Sequence, residues 1–473
     1  MDNAEFRRYA HEVVDWMADY LENIATYPVK PPVAPRDVLN KLPVSPPLQP
    51  ETFETLFRDF RDIIVPGMTH WQHPSFFAYF PANSSSPSIL AEMLTATLGA
   101  QCMSWATSPA ATELEERMME WLRDMIGLPR TFTGVIQDTA STATLCSIIT
   151  ARETHSGFMI NEQGFSRERQ FTVYCSTEAH SSVEKGMKIA GIGRKFLRKI
   201  AVDENFAMQP GDLETSITED LEKGLVPLCV IAAIGTTGST AIDPLRRIGE
   251  ICSKYRIWLH VDAALAGTAL VLPDNRWMID GIEFADSFVF NPHKWMFTNF
   301  DCSAYFVRDP GALIRTFEIL PEYLKTPEGE RVKNYRDWGI QLGRRFRALK
   351  LWFVIRSYGV EGIQATIRDH LRMAHDVAET IRQSPDFELL APVPLNTVCF
   401  RYRPAHLSGD EALNRVNTDL LDQLNRTGKL FLTHTKLNGR FTLRLVVGQT
   451  HVRQSHVDDA WHLIAATARQ LYD

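Results

Sequence analysis

Apolar residues recur at helical spacing near the start of the chain and predict an amphipathic helix over residues 4–26. Eight prolines then fall between Pro28 and Pro50. Because proline has no amide hydrogen and a fixed backbone angle, this stretch is predicted to be an extended connection. A short helix is predicted from Phe53 to Val65. This opening part is too thin to form its own core, so residues 1–85 are predicted to wrap another domain or a second copy of the chain.

From about residue 86 the pattern changes to helices that alternate with short apolar runs. Helices are predicted at 87–99, 109–127, 139–153, Ser181–Ala190, Pro244–Tyr255 and about Gly343–Tyr358. Strands are predicted at Phe171–Cys175, Pro227–Ile234, Ile257–Val261, Ser287–Phe290 and Ala304–Val307. Buried strands alternating with helices favour an α/β fold with a mostly parallel sheet covered on both faces. We therefore predict a large domain over 86–359 and a small α+β C-terminal domain over 360–473.

Composition narrows the class of protein. A length of 473 residues suits two or three units, and 45% hydrophobic with 23% charged residues is typical of a globular protein. The net charge of -7, without a basic stripe, argues against a nucleic-acid partner. The seven cysteines are scattered and form no CxxC pair, which favours a reducing compartment. No apolar run approaches a membrane span and the N-terminus lacks a cleavage signal, so we expect a cytoplasmic protein without membrane contacts.

Four polar side chains follow the ends of predicted strands. They are His180, Thr237, Asp262 and Lys294. Ligands of open α/β sheets bind beyond the carboxyl ends of the strands, so these residues are expected on one rim. Each alone has an ordinary explanation: a hydrogen-bonded histidine, a loop threonine, a capping aspartate or a solvated lysine. Their joint occurrence, with Trp295 placed to bury the lysine stem, indicates a site.

This set is what pyridoxal 5'-phosphate (PLP) requires. A lysine amine forms a Schiff base with its aldehyde, a carboxylate pairs with its ring nitrogen, and an imidazole can hold its ring face. Its phosphate needs the amides of a helix N-terminus, which the segment Asp138–Thr142 supplies. Asp138 is expected to point away as the helix cap, because its carboxylate would repel the phosphate. His70 and His73 have no acidic or cysteine partner nearby, so no metal site is predicted.

The motifs then become recognisable. They are PGMTHWQHPSFFAYFPANSS, SPAATELEERMMEWL, AHSSVEKG, WLHVDAALAG, EFADSFVFNPHKWMFTNFDCSA and LGRRFRALKLWFV. With these, the chain resembles the group II PLP-dependent decarboxylases, and within them the aromatic-L-amino-acid decarboxylase family, over nearly its whole length. The resemblance implies PLP fold type I, the aspartate-aminotransferase type, in an obligate homodimer with the active site at the interface. It implies an amino acid as substrate, decarboxylated to the amine and CO2.

The resemblance also assigns roles to residues. Lys294 resembles the Schiff-base lysine, Asp262 the partner of the ring nitrogen, His180 the stacked residue, and Tyr335 the catalytic tyrosine that returns a proton to the substrate. The segment from Leu324 to Trp338 resembles a mobile loop, and the polar composition between Pro327 and Trp338 predicts an exposed loop. Further cofactor positions are Ala140, Ser141, Asn291 and His293 for the phosphate, with Thr237 beside the cofactor. The substrate positions are Trp71, Tyr79, Phe80, Pro81, Ala82 and Met103.

Departures from the family concern the substrate side chain. Ala82 stands where relatives often have a hydroxyl, Met103 where an aromatic is common, and Leu265 where an aromatic is usual. Without the hydroxyl at residue 82, tryptophan or phenylalanine is favoured over tyrosine or dihydroxyphenylalanine. Three alternatives remain: an aromatic aldehyde synthase, a decarboxylase of a non-aromatic (for example acidic) amino acid, and a catalytically silent binding protein. The presence of both His180 and Tyr335 argues against the first of these.

Overall fold

The computed structural model describes residues 1–165, 170–319 and 331–472. The chain divides into two compact units. The smaller contains residues 1–81, 376–390 and 399–473, and the larger contains residues 82–375 and 391–398. The sequence-based division at residues 85 and 359 stays a prediction. Within the described ranges, no helix is both long and apolar enough to cross a membrane.

A seven-stranded sheet forms the centre of the larger unit. Its strands are β1 (Thr133–Gln137), β2 (Phe171–Ser176), β3 (Leu197–Ile200), β4 (Val226–Ala233), β5 (Trp258–Asp262), β6 (Ser287–Phe290) and β7 (Ser303–Val307). They are ordered β1-β7-β6-β5-β4-β2-β3. β7 runs in the opposite direction to the other six strands, so the predicted mostly parallel sheet is confirmed. All five predicted strands are present, whereas β1 and β3 were missed.

Helices surround this sheet. They are α3 (Ser86–Leu98), α4 (Pro109–Ile126), α5 (Ala140–Ser156), α6 (Met159–Gln163), α7 (Ser182–Ile189), α8 (Pro210–Glu222), α9 (Leu245–Tyr255), α10 (Pro292–Trp295) and α11 (Pro310–Phe317). The span α12 (Arg347–Gln383) consists of two helices that meet at a kink at Gly359, whose φ is +67°. The first of them ends at this left-handed glycine, which agrees with the predicted end at Tyr358.

Apolar burial fixes the sheet against its helices. Leu145 and Ile148 of α5 and Val183 and Met187 of α7 pack on the side chains of β2, where Val173 is fully buried. Each such side chain stabilises the fold by about 1.5–3 kcal/mol when it is removed from water. The strands are thereby held with their carboxyl ends at one edge, where β5 ends at Asp262 and β6 is followed directly by Asn291.

The smaller unit combines helices with a four-stranded sheet. Its elements are α1 (Asn3–Glu22), α2 (Phe53–Asp59), β8 (Phe387–Leu389), β9 (Thr397–Tyr402), α13 (Asp410–Arg426), β10 (Thr433–Leu437), β11 (Arg440–Val446) and α14 (Gln454–Tyr472). The sheet order is β10-β11-β9-β8. The predicted first helix is present but ends at Glu22; it begins at a capping box in which Asp2 and Glu5 each accept the other's backbone N–H.

Candidate active site

Lys294 lies just beyond the carboxyl end of β6, in the short helix α10. Its backbone N–H donates to the carbonyl of Asn291 at 2.9 Å, which fixes the turn after the strand. The neighbouring Trp295 is fully buried and its indole donates to Nδ1 of His370 at 2.9 Å. Burial lowers the pKa of Lys294 to about 8, and the carboxylate of Asp262 opposes that shift. The amine is therefore far closer to its neutral, nucleophilic form than a surface lysine.

Asp262 is the last residue of β5. Its backbone is held on both sides, paired with Ala233 of β4 and Val289 of β6. Its Oδ1 accepts a hydrogen bond from the N–H of Ala264 at 3.1 Å. The Asp262 charge raises the pKa of both Lys294 and His180, so the three side chains share one electrostatic neighbourhood. The predicted convergence of these strand ends is thus what the structure shows.

His180 lies in the turn between β2 and α7. Its Nδ1 accepts from the backbone N–H of Ser182 at 3.1 Å and lies 2.9 Å from the Ser182 hydroxyl. In the neutral ring the hydrogen must therefore be on Nε2. Loss of water around the ring lowers the His180 pKa, and the charge of Lys294 lowers it further. The residue stays exposed, so the neutral ring can offer a face to a ligand.

The amino end of α5 follows β1 through Asp138 and Thr139. Thr139 is the N-cap, since its hydroxyl accepts from the N–H of Thr142 at 3.4 Å. The expectation that Asp138 is the cap is wrong: its carboxylate accepts from the N–H of Thr139 at 2.6 Å instead. Among the described residues, the N–H groups of Ala140 and Ser141 find no acceptor. Such unsatisfied donors at a helix N-terminus suit a phosphate.

Asn291 and His293 are buried beside Lys294. The Asn291 Oδ1 accepts from the Ser303 hydroxyl at 2.5 Å, and the His293 Nδ1 accepts from the N–H of Cys302 at 2.9 Å. Burial, with the charge of Lys294, lowers the His293 pKa to about 3. The groups left to donate to an anion are the Asn291 amide nitrogen and the His293 Nε2–H.

Thr237 lies in the turn after β4 and is exposed. The turn is fixed by its neighbour Thr236, whose hydroxyl accepts from the N–H of Ala241 at 3.0 Å. It also depends on Gly235, whose φ is +84°. A Cβ added at this glycine would lie only 2.8 Å from the Cβ of Ala266, which is too close for any larger residue. Thr237 is therefore held at the same strand edge, with its side chain open to solvent.

Tyr335 lies in a different environment from the one predicted. Residues 335–339 are buried, so the prediction of an exposed loop is wrong there, and residues 324–330 lie outside the described part of the chain. The Tyr335 ring packs against Trp338 with 5.4 Å between ring centroids and lies under the Arg344 guanidinium at 5.3 Å. Its hydroxyl is buried without a hydrogen-bond partner among the described residues. Burial, with the nearby charge of Glu115, raises the Tyr335 pKa.

Tyr335 is held by pairings between residues far apart in sequence. Arg344 forms a buried ion pair with Glu115 of α4, and Glu115 also accepts from the N–H of Ile136 at 2.8 Å. The N–H of Arg336 donates to the carbonyl of Met103 at 2.9 Å. Sequence reasoning missed the roles of Glu115 and Arg344, although both lie inside the quoted motifs.

The expected substrate residues fall in both units. In the smaller unit, Trp71 and Tyr79 stack with 5.8 Å between ring centroids, and the Arg444 guanidinium lies 5.4 Å from the Phe80 ring. Tyr79 is exposed, whereas Pro81 is buried. In the larger unit, Ala82 and Met103 are half-buried. The aromatic rings of Trp71, Tyr79 and Phe80 thus lie in contact with neighbouring side chains of the smaller unit.

The described residues fit PLP. A lysine with a lowered pKa, a carboxylate, a neutral imidazole and unsatisfied helix amides lie at one edge of one sheet. The fold and the site together define an enzyme of PLP fold type I.

The comparisons identify the family. A family model described as the pyridoxal-dependent decarboxylase conserved domain matches residues 35–403, and the chain belongs to this family. It is 41% identical to tyrosine decarboxylase 4 of Petroselinum crispum, over 100% of this chain and 95% of that one. It is 43% identical to a phenylacetaldehyde synthase of Arabidopsis thaliana, over 100% and 97%. The structure of Catharanthus roseus tryptophan decarboxylase in complex with L-tryptophan has a TM-score of 0.94 and 39% identity, covering 100% of this chain and 99% of that one.

Proposed function

We propose that this enzyme removes the carboxylate of an aromatic L-amino acid, giving the amine and CO2, with PLP held by Lys294. The observation that carries the proposal is the position of Lys294, just beyond β6, beside Asp262 at the end of β5, where burial lowers the pKa of the amine to about 8. An amine that reaches its neutral form near neutral pH is the nucleophile that an aldehyde cofactor needs.

Each residue then has a role that its position supports. When bound, the cofactor withdraws electrons from the bond between the substrate's Cα and its carboxylate. Asp262 would keep a proton on the ring nitrogen by charge pairing, and the His180 ring would lie against the ring face. The N–H groups of Ala140 and Ser141, with Asn291 and His293, would bind the phosphate, and Thr237 would lie beside the cofactor.

An aromatic substrate is supported by two independent features. Trp71, Tyr79 and Phe80 supply aromatic rings that suit an aromatic side chain. The relatives include tyrosine and tryptophan decarboxylases. Ala82 has no hydroxyl to pair with a phenol or catechol, and leaving such a group unpaired costs about 1–3 kcal/mol. Tryptophan or phenylalanine is therefore favoured.

An aromatic aldehyde synthase is the second candidate. It is favoured by the 43% identity to a phenylacetaldehyde synthase. We assign Tyr335 the role of returning a proton to the substrate's Cα, which favours the amine product. The Tyr335 hydroxyl is buried, so it can reach the substrate only if Tyr335 leaves its contact with the Trp338 ring.

A homodimer with the active site at the interface is proposed from the apolar surface. Leu90, Leu94 and Leu98 of α3 are 52%, 48% and 66% exposed and lie four residues apart, on one face. Such a stripe is typical of a surface that another chain covers. In sedimentation experiments Leu94→Glu should weaken the dimer, whereas Leu221→Glu on α8, at 46% exposure, should not. Equal sedimentation of the two variants would contradict this interface.

A cytoplasmic location is proposed from the cysteines. All seven are free and buried, which suits a reducing compartment.

The decisive experiment is a product assay with tryptophan, phenylalanine, tyrosine and dihydroxyphenylalanine. CO2, amine, aldehyde and peroxide are measured with and without oxygen. Amine and CO2 in equal amounts, without oxygen uptake, are expected, and Lys294→Ala should lose nearly all turnover and the visible absorbance of bound PLP. Aldehyde with peroxide would favour the synthase, and CO2 release only from acidic amino acids would overturn the aromatic assignment. Binding of PLP with no turnover of any amino acid would favour a silent protein.

A further inference from the structure

A fully buried polar cluster lies beneath Asp262. His260 precedes Asp262 by two residues on β5, so both side chains lie on the same face of the sheet. The His260 Nδ1 is 3.0 Å from the Ser147 hydroxyl and 2.9 Å from the Ser287 hydroxyl. Its Nε2 is 3.4 Å from the Thr144 hydroxyl. His260 on β5 therefore contacts β6 through Ser287, and it contacts α5 through Ser147 on one side of its ring and Thr144 on the other.

The cluster is closed by two aromatic residues. The indole N–H of Trp258 donates to the Ser287 hydroxyl at 3.0 Å, and the Tyr305 hydroxyl is 2.9 Å from that of Ser147. Four elements, α5, β5, β6 and β7, are thus tied together by side-chain hydrogen bonds in a region where Trp258 is half-buried and the other members are buried. Buried networks of this kind rigidify the segments they connect when every member is satisfied.

The imidazole is suited to this bridge because it is uncharged. Burial lowers the His260 pKa to about 4, although the Asp262 charge opposes the shift. A neutral imidazole has one donor nitrogen and one acceptor nitrogen, so it can bond on both sides at once. Phenylalanine would fill the same space but would bond to neither side.

The bridge connects the two ends of the proposed cofactor site. On β5, Asp262 faces the ring nitrogen, and on α5, Ala140 and Ser141 bind the phosphate one turn before Thr144. We propose that His260 is a positioning residue that fixes the separation between Asp262 and the amino end of α5, so that ring nitrogen and phosphate are bound together. This inference rests on the proposed PLP site and assigns His260 no contact with the cofactor.

The test separates positioning from ordinary stability. The apoprotein is prepared for the parent and for His260→Phe, His260→Gln, Thr144→Val and Tyr174→Phe. Tyr174 is the matched control: its buried hydroxyl donates to Asp220 at 2.7 Å, in the same sheet but on β2. Three quantities are measured: the melting temperature of the apoprotein, the Kd for PLP by equilibrium dialysis, and the visible circular dichroism of bound PLP, which reports ring orientation.

His260→Phe should raise the PLP Kd by about tenfold, as expected for the loss of one or two buried hydrogen bonds, and should alter the visible circular dichroism. Thr144→Val, which removes one of the two contacts from His260 to α5, should act in the same direction by severalfold, and it keeps the test available if His260→Phe does not fold. His260→Gln, which can still accept and donate, should restore most of the affinity. Tyr174→Phe should lower the melting temperature without changing the Kd.

Two results would overturn the inference. One is unchanged PLP affinity and dichroism in both His260→Phe and Thr144→Val, which would leave His260 with a structural role. The other is an equal loss of affinity in Tyr174→Phe, which would make the effect a general consequence of stability. If the parent protein itself fails to bind PLP, the proposed function fails, and this outcome is distinct from the other two.

Discussion

The pH dependence of PLP capture by the apoprotein tests the chemistry of Lys294 directly. Burial lowers its pKa from 10.5 to about 8. At pH 7 about one amine in ten would then be neutral, against about three in ten thousand for an ordinary lysine, a gain of roughly 300-fold in the reactive form. The rate of capture should be larger than for a lysine without this shift, by up to this factor.

The assay follows the appearance of the visible absorbance of bound PLP by stopped flow between pH 6 and 10. The logarithm of the capture rate should rise by about one for each pH unit up to about 8 and then level off, because the amine is already neutral there. Lys294→Ala serves as the control and should show no such phase. A rate that keeps rising to pH 10 would contradict the lowered pKa.

Stability gives a second measurement of the same shift. The folded pKa of Lys294 is lower than the unfolded one, so between about pH 8 and 10.5 the unfolded chain holds the proton and the folded chain does not. Measured as the difference from Lys294→Met, the free energy of unfolding of the apoprotein should therefore rise with pH through this window, by about 3 kcal/mol in total. Lys294→Met should lack this rise and be more stable at pH 7. Parallel pH profiles for parent and variant would refute the reasoning.

Three further predictions concern the neighbours of this lysine. Asp262→Asn removes the charge that raises the Lys294 pKa, so the capture rate should level off below pH 8 while PLP affinity falls; an unchanged profile and affinity would show that Asp262 has no part in the site. Glu115→Gln leaves the buried Arg344 without its counter-charge and should lower the free energy of unfolding by about 3–5 kcal/mol in chemical denaturation. Arg345→Gln, at an exposed ion pair, should change this free energy by under about 1 kcal/mol. Similar values for both variants would contradict the burial argument. Tyr335→Phe removes a buried hydroxyl that has no partner among the described residues, so the folded state should be equally or more stable. In the same variant amine formation should fall, and aldehyde and peroxide should appear under air. Amine formation at the parent rate without aldehyde would exclude Tyr335 as the proton donor.

The strands that were predicted and those that were missed differ in their surroundings. β5 and β6 lie inside the parallel sheet, are buried on both faces, and so appear in the sequence as apolar runs. β3, with the sequence LRKI, lies at the edge of the sheet, and charged residues are tolerated there. β1 contains Gly134 and ends in Gln137, which hides its pattern. Edge position and interior glycine therefore explain both omissions.

The site residues could be predicted where local sequence determines their place. Lys294 and Asp262 directly follow or end apolar strands, and that position alone brings them to one edge. Tyr335 could not be placed in this way, because its burial depends on Arg344 and on Glu115, more than 200 residues away from both in sequence. The cap of α5 was misplaced by one residue because Asp138 and Thr139 are both good caps and only the geometry distinguishes them.

Burial has one shared effect on the bases of this site. It is the first cause of a lowered pKa for Lys294, His180, His293 and His260. Burial therefore favours the uncharged form of the three imidazoles and of the amine. A neutral His180 can lie on a protonated ring without repelling it, and a neutral His293 still donates from Nε2. The proposed site would thus bind the phosphate through neutral donors and keep its charge pairing for Asp262 and the ring nitrogen. Because the pKa of Lys294 lies above those of the three imidazoles, Lys294 is the first of these four groups to gain a proton on acidification.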